Sequence, residues 1–196
     1  MSRGLGDVYK RQDMVSVIMP VYNSGRFIED SILSVISQTY SCWELIVVDD
    51  GSTDNSKDIV EQYVKKDSRI HLLQNYKPLG IPAIPRNIGI QQAKGRFIAF
   101  LDSDDWIKDE SLSLLYDEAV KHHADVVMGN MWLCHQDGSM DKPFKCISNG
   151  SIKELLSGKE SFIELVKTCF YLPMPFKYIY NRKYLHKIQA RFCLLY

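Results

Sequence analysis

The sequence predicts an α/β fold, with a mainly parallel, Rossmann-like central sheet flanked by helices. Short β-branched runs alternate with amphipathic segments of helical period, which is typical of βαβ units. Breaks rich in Gly, Pro or Asp separate the two kinds of segment. Clusters of acidic side chains follow two of the apolar runs directly, where the strands of such a sheet end.

The alternation of predicted strands and helices extends over the first 128 residues. The β-branched and apolar runs predict strands over Val15–Pro20, Leu45–Val48, Ile70–Gln74, Arg96–Leu101 and Ala124–Met128. The segments between them predict four helices: one capped by Asn23 or Ser24, one capped by Thr53 or Asp54 and running to Lys66, one over Pro82–Lys94, and one over Asp109–His123.

After Gly129 the pattern changes. The pair Asp137-Gly138 lies between apolar residues and predicts a hairpin turn. Ser157 or Gly158 begins a predicted helix that runs to Thr168. Phe176–Tyr180 is predicted as a strand, and a basic helix follows over Arg182–Ile188.

Composition excludes several classes of protein. Hydrophobic residues make up 45% of the 196 residues, which is typical of a globular domain and excludes disorder. The 24 basic and 24 acidic residues give no net charge, so a nucleic-acid partner is not predicted. The five cysteines include no CxxC pair, which indicates reduced thiols and a cytoplasmic location. No apolar run approaches the roughly 20 residues that span a bilayer.

The two ends differ in character from the rest. Residues 1–13 are polar and lack periodicity, so we expect a non-native leader there. Residues 14–192 are expected to form one domain, and residues 193–196 a non-native tail.

The acidic clusters are the strongest functional signal. Asp102, Asp104 and Asp105 follow the fourth predicted strand, and Asp49 and Asp50 follow the second. Carboxylates gathered at the end of a buried strand raise one another's pKa unless a cation compensates them. Mg²⁺ or Mn²⁺ carrying a substrate phosphate suits such oxygen ligands. The alternative is a solvated acidic turn that precedes a helix.

A third polar cluster, Pro20-Val21-Tyr22-Asn23, follows the first predicted strand. Each cluster alone has a structural explanation as a turn or a helix cap. Because parallel strands bring their carboxyl ends to one edge of the sheet, we expect all three clusters to meet there, where ligands bind.

The motifs PVYN, VVDDGSTD, PRNIGIQQAKGRFIAFLDSDD and FKYIYNRKYLHKIQARF together closely resemble family 2 glycosyltransferases with the GT-A fold. The resemblance implies inverting transfer of a sugar from a nucleotide-sugar donor, usually a UDP-sugar, to a hydroxyl of a saccharide or lipid-linked acceptor. It also implies a bacterial enzyme of surface-polysaccharide or glycoconjugate synthesis, cytoplasmic and with a peripheral contact at the inner face of the membrane.

The family's functional positions carry over to matching residues. The nucleoside would be lined by Pro20, Val21, Tyr22 and Asn23, and its uracil imide N–H would be accepted by Asp49 or Asp50. Arg86 would approach the base or the diphosphate, and Asp102 and Ser103 would bind ribose or the donor sugar. Asp104, with Asp102, would hold Mn²⁺ or Mg²⁺. Asp105 is expected either to join this set or to cap a helix at Trp106.

The chain departs from the family pattern at two points. Pro85 replaces the usual small residue before Arg86-Asn87, which predicts that the helix begins at Pro85. In relatives the general base is a carboxylate a short stretch beyond the segment that matches Arg191-Phe192, so no catalytic base is assigned here.

Two other functions stay open on sequence alone. The chain would bind a nucleotide-sugar without turnover if it lacks the base. A nucleotidyltransferase is the other alternative, although that class favours a Gly-rich, basic loop after the first strand, which PVYNSG does not provide.

Overall fold

The computed structural model describes residues 13–78, 81–130, 132, 134–135, 139–140 and 178–192. Six strands form its sheet. They are β1 (Val15–Val21), β2 (Trp43–Asp49), β3 (Ile70–Gln74), β4 (Phe97–Phe100), β5 (Val126–Met128) and β6 (Tyr178–Asn181).

The strands lie in the order β3-β2-β1-β4-β6-β5. The β1–β2, β2–β3 and β1–β4 pairs are parallel, whereas β6 is antiparallel to both β4 and β5. The mainly parallel sheet predicted from the sequence is therefore confirmed. Chain order reverses between β1 and β4, so the sheet has a topological switch point beside the end of β1.

Five helices accompany the sheet in the described residues. They are α1 (Ile28–Ile36), α2 (Ser56–Lys66), α3 (Ala83–Gln92), α4 (Ser111–Lys121) and α5 (Arg182–Lys187). None of these helices is long and apolar enough to span a membrane.

The helices cover the two faces of the sheet in two layers. Strand side chains alternate between faces: Val17 and Val47 enter one core, and Ile18 and Ile46 enter the other. Helices α1, α2 and α4 pack on the first core. Helices α3 and α5 pack on the second core, where Leu185 of α5 is buried. Both faces are buried, which explains the nearly continuous apolar runs of β1 and β2.

Four local expectations were wrong. Neither Asn23 nor Ser24 caps α1, because its N-cap is Phe27, without a side-chain cap hydrogen bond. The N-cap of α2 is Asn55 and neither Thr53 nor Asp54, although the Asp54 carboxylate accepts the Ser56 N–H at 3.0 Å. The helix carrying Arg86 begins at Ala83 and not at Pro85, which lies in the first turn where a missing N–H breaks no helical hydrogen bond. No helix begins at Trp106 in the described chain, since α4 starts at Ser111.

The long excursion after β5 brings β6 back between β4 and β5. An isolated antiparallel bridge joins Cys134 and Met140, on either side of the predicted turn. The turn itself, Asp137-Gly138, and the helix predicted over 157–168 lie outside the described residues.

Candidate active site

The three polar clusters meet at one edge of the sheet, as expected. Val21 pairs with Asp49 across β1 and β2, and Ile18 pairs with Phe100 across β1 and β4. The backbone N–H of Asp50 donates to the Val21 carbonyl at 2.8 Å, which extends the ladder past the strand ends. The segments that follow β1, β2 and β4 therefore leave the sheet side by side at the switch point.

A cleft of about 250 Å³ opens between these segments and the first turn of α3. Its lining comprises Pro20, Val21, Tyr22, Ser24, Asp50, Ile81, Pro82, Pro85, Arg86, Asp102, Ser103 and Asp104. The lining combines three prolines and an exposed tyrosine with an arginine and three carboxylates. Such a cleft suits a ligand with a planar base at one end and phosphates at the other.

The two aspartates after β2 have different surroundings. Asp49 accepts the N–H of Ser52 at 3.1 Å and is not among the residues that line the cleft. Asp50 lines the cleft, is almost fully buried, and accepts the side-chain amide of Asn75 at 2.6 Å. Of the two aspartates, Asp50 is therefore the one that a ligand in the cleft would contact.

Arg86 and Asp102 form an ion pair across the cleft. The Arg86 Nη2 atom lies 2.6 Å from Asp102 Oδ1, and the two side chains are 11% and 26% exposed. The guanidinium also stacks on the Phe192 ring, at 5.2 Å from its centroid. The Nε atom of Arg86 is buried without a hydrogen-bond partner in the described structure. Because an unpaired buried N–H is costly, this atom is suited to an anionic or carbonyl ligand.

Hydrogen bonds from Ser24 and Ser31 hold the loop that follows β4. Ser24 Oγ and Ser103 Oγ lie 2.6 Å apart, and Ser31 Oγ of α1 contacts the carbonyl oxygens of Ser103 at 2.9 Å and Asp105 at 2.6 Å. These contacts hold the carboxylates of Asp104 and Asp105 near each other. Burial, with the charges of Asp104 and Asp102, raises the pKa of the Asp105 carboxyl to about 6.

The donor set of this loop fits a hard divalent cation. Asp102 and Asp104 both line the cleft, and carboxylate oxygens are the ligands that Mg²⁺ and Mn²⁺ prefer. Burial is the main cause of the raised pKa of Asp105, and the charges of Asp104 and Asp102, which a cation would offset, add to it. Among the described residues no three His, Cys, Asp or Glu side chains are gathered as a complete site. Two carboxylates match a cation that takes its remaining ligands from water and substrate phosphate.

A larger groove of about 770 Å³ lies elsewhere, between α1 and the segment 106–110. It does not include the acidic residues of the cleft. Its size alone carries no functional assignment, and the convergent polar groups identify the smaller cleft as the candidate site.

The structure brings together most of the predicted site residues. Asn23 is the other exception besides Asp49, because its side-chain oxygen accepts the N–H groups of Thr53 at 2.8 Å and Asp54 at 3.3 Å. Asn23 thus joins the loops after β1 and β2 and does not line the cleft. Its backbone is left-handed, with φ of 49°, which an asparagine tolerates.

Sequence reasoning missed several contributors to the site. Ser24 and Ser31 position the acidic loop, Asn75 contacts Asp50, and Ile81 with Pro82 lines the cleft. Asn75 directly follows β3, at the same edge of the sheet as the other clusters, which is the one signal that would have suggested it.

The comparisons with known proteins agree with this geometry. The family model described as glycosyl transferase family 2 matches residues 16–192. Glycosyltransferase GlyG of Streptococcus pneumoniae is 34% identical over 167 residues, which are 82% of this chain and 55% of the relative. The UDP-Glc:alpha-D-GlcNAc-diphosphoundecaprenol beta-1,3-glucosyltransferase WfgD of Escherichia coli is 40% identical over 159 residues, 80% of this chain and 56% of the relative.

Among solved structures, residues 1–349 of S. aureus TarS in complex with UDP give a TM-score of 0.72 at 29% identity. The similarity covers 91% of this chain and 49% of that one. The chain therefore spans about half the length of each of these three proteins.

Proposed function

Because the chain belongs to glycosyl transferase family 2, we propose that it transfers a sugar, with inversion, from a UDP-sugar donor to an acceptor hydroxyl. The observation that carries this proposal is the convergence of Asp50, Arg86, Asp102 and Asp104 in one cleft at the switch point of a parallel sheet.

The cleft offers a role for each end of a nucleoside diphosphate. Tyr22 lies beside Pro20 and Val21, and together they would contact the base and ribose. The Asp50 carboxylate, held by Asn75, would accept the imide N–H of uracil. The unpartnered Nε of Arg86 would donate to the diphosphate or the base of the donor, and its Nη2 keeps Asp102 in place.

Asp104 and Asp102 would hold Mn²⁺ or Mg²⁺. When bound, the ion supplies positive charge beside the diphosphate of the leaving nucleotide. The protein's own contribution is to fix the two carboxylates, through the Ser24–Ser103 and Ser31 contacts, before the donor arrives. No general base is assigned, because the cleft residues offer no carboxylate beyond Asp50, Asp102 and Asp104 in the part of the chain described.

We further propose that the acceptor is a saccharide or a lipid-linked glycan of a bacterial surface polymer. The name of the E. coli relative specifies a glucosyltransferase that acts on a diphosphoundecaprenol-linked sugar. An enzyme with such an acceptor would work in the cytoplasm, at the inner face of the membrane.

Nucleotide selectivity tests this proposal. Calorimetric titration with UDP and CDP in the presence of Mn²⁺ should show a preference for UDP of about tenfold or more, because CDP lacks the imide N–H and presents a ring-nitrogen lone pair to the Asp50 carboxylate. Asp50→Asn should reduce that preference, since an amide can both accept from uracil and donate to cytosine. Asp58→Ala, which removes an exposed carboxylate of α2, should leave it unchanged.

Equal binding of UDP and CDP by the unmodified protein would contradict the proposed donor site. If Asp50→Asn keeps the preference for UDP over CDP, the role given to Asp50 is contradicted and the donor site as a whole is not.

Binding of a nucleotide-sugar without turnover is the second candidate, favoured by a cleft whose described polar residues Asp50, Arg86, Asp102 and Asp104 would all serve the donor. Release of UDP from a panel of UDP-sugars in the presence of saccharide acceptors distinguishes the two. Transfer favours the enzyme, and binding with no release above the buffer rate favours the second candidate.

A further inference from the structure

We infer that the outer surface of the α3–α5 layer is a docking face for an anionic lipid bilayer. We call this surface the basic face, and it consists of Lys94, Arg182, Lys183, His186, Lys187 and Arg191. The inference extends the proposed location at the inner face of the membrane, and its test measures lipid binding without sugar transfer.

The first observation is the segregation of charge in a chain that has no net charge overall. Segments 81–101 and 178–192 contain three and four Lys or Arg residues respectively, and no Asp or Glu. The two segments pack together through the β4–β6 pair and the second core. The helices of the opposite layer, α1, α2 and α4, carry six acidic and four basic residues.

Not every cation of these segments contributes to the face. Arg86 is paired with Asp102 inside the cleft, and Arg96 lies over the Phe97 ring of the first core. Lys94, Lys183, His186, Lys187 and Arg191 are exposed. Arg182 is half-buried, because its Nε donates to the Gly95 carbonyl at 2.5 Å and so ties α5 to the start of β4. The exposed cations of α5 therefore lie on a helix that this hydrogen bond holds against the sheet.

Glu44 and Asp125 contact the two segments in the described structure, and both carboxylates already accept hydrogen bonds. Glu44 is buried beneath Lys94 and accepts its backbone N–H at 2.7 Å and the Ser16 hydroxyl at 2.6 Å. Asp125 accepts the side-chain amide of Asn181 at 3.2 Å. In the part of the chain that the structure describes, neither carboxylate forms an ion pair with a lysine of the face, so these two groups do not neutralise its positive charge.

An apolar residue lies among these cations. Ile188 follows α5 directly, is 51% exposed, and is flanked by Lys187 and followed by Arg191. Cations around an exposed aliphatic side chain suit the headgroup region of a bilayer, where lysines contact phosphates and the aliphatic group enters the interface. A polyanionic chain in water offers nothing to bury Ile188.

The position of the surface also favours a bilayer. None of the six residues lines either of the two cavities described above, so the face is separate from both of them. The face also borders the donor cleft, because Asn87 of α3 accepts the Phe192 N–H at 2.9 Å and Phe192 stacks on Arg86. Docking by this face would bring the cleft near the headgroups, where a lipid-linked acceptor lies.

Vesicle co-sedimentation tests the inference. The protein should bind vesicles of phosphatidylcholine with phosphatidylglycerol, and not vesicles of phosphatidylcholine alone, and the binding should fall steeply between about 0.1 M and 1 M salt. Lys183→Glu with Lys187→Glu should weaken binding at least about tenfold. Ile188→Ser should weaken it less and leave the salt dependence unchanged.

The matched control is Lys65→Glu with Lys66→Glu, which makes the same charge change on exposed residues of α2 in the opposite layer. It should bind as the unmodified protein does, and circular dichroism should show that both double variants are folded. Equal losses in the two double variants would overturn the inference, because net charge and not this face would then govern binding. It would also fail if the protein bound inorganic polyphosphate but not the anionic vesicles.

UDP binding by the Lys183/Lys187 variant separates this inference from the proposed function. Retained UDP binding with lost vesicle binding is the expected result. Retained vesicle binding would overturn the docking face whatever the nucleotide result.

Discussion

Arg86→Met is the substitution that probes the architecture of the cleft most sharply. The Arg86–Asp102 pair is short, at 2.6 Å, and partly buried, with side chains 11% and 26% exposed. A charge-assisted hydrogen bond of this kind contributes about 1.5–3 kcal/mol. Because Asp102 keeps some contact with water, we expect Arg86→Met to lower the free energy of unfolding by about 2 kcal/mol at about pH 8 without metal.

The free energy of unfolding that Arg86→Met loses should depend on pH, because the charge of the Asp105 carboxyl changes with pH. Its carboxyl has a pKa of about 6, raised by burial and by Asp104 and Asp102. At about pH 5 this group is mainly protonated, so one repulsive charge beside Asp102 is removed and the arginine matters less. Urea unfolding in EDTA at the two pH values measures both effects.

Two further variants define the outcome. Lys57→Met removes an exposed i,i+4 pair with Glu61, 3.8 Å long, and should change the free energy of unfolding by about 0.5 kcal/mol or less. A double-mutant cycle with Asp102→Asn should give a coupling energy of about 1–2 kcal/mol. If Arg86→Met unfolds with the stability of the Lys57→Met control and shows no coupling to Asp102, the ion pair does not organise the cleft.

Three other substitutions test the packing around the site by urea unfolding. Gly89→Ala would place Cβ 2.4 Å from the Ile18 side chain, so overpacking should outweigh the gain in helix propensity and destabilise the protein by about 1–2 kcal/mol; a stabilised variant would contradict the packing of α3 on β1. Asp105→Asn should stabilise the metal-free protein by about 1–2 kcal/mol at about pH 8, because a carboxyl whose folded-state pKa is raised loses its contribution to stability as the pH rises through about 6. If the substitution stabilises the protein no more at about pH 8 than at about pH 5, the raised pKa is contradicted. Ser31→Ala removes the donor to the Ser103 and Asp105 carbonyls and should cost about 1–2 kcal/mol; unchanged stability would show that α1 does not hold the acidic loop.

The strands and helices were largely predictable because local pattern determines them. Strand β3 has the predicted bounds, Ile70–Gln74, and strands β1 and β2 extend only one or two residues beyond their apolar cores. Alternation of strands with helices implied parallel pairing, and parallel pairing implied that the three polar clusters meet. The location of the site followed from those two steps.

The contacts that were not predictable depend on tertiary geometry. Strand β6 enters the sheet between β4 and β5 after a long excursion, and no local signal specifies that position. Asp49 and Asp50 are adjacent and chemically identical, so only the direction of each side chain at the strand end distinguishes them. Asn23 resembles a helix cap in sequence, but its left-handed backbone turns its oxygen toward Thr53. Each case depends on a neighbour that is distant in sequence.

Thermal stabilisation by UDP, with and without Mn²⁺, tests the central claim most directly when it is measured on the unmodified chain, on Asp104→Ala and on the exposed control Asp117→Ala. A ligand at about 100 times its Kd adds roughly 2.7 kcal/mol to the free energy of unfolding, which is a readily measured shift in Tm. The account predicts a shift that requires Mn²⁺, persists in Asp117→Ala and disappears in Asp104→Ala. A shift of equal size in Asp104→Ala, or none in the folded unmodified protein, would contradict a metal-dependent nucleotide site in this cleft.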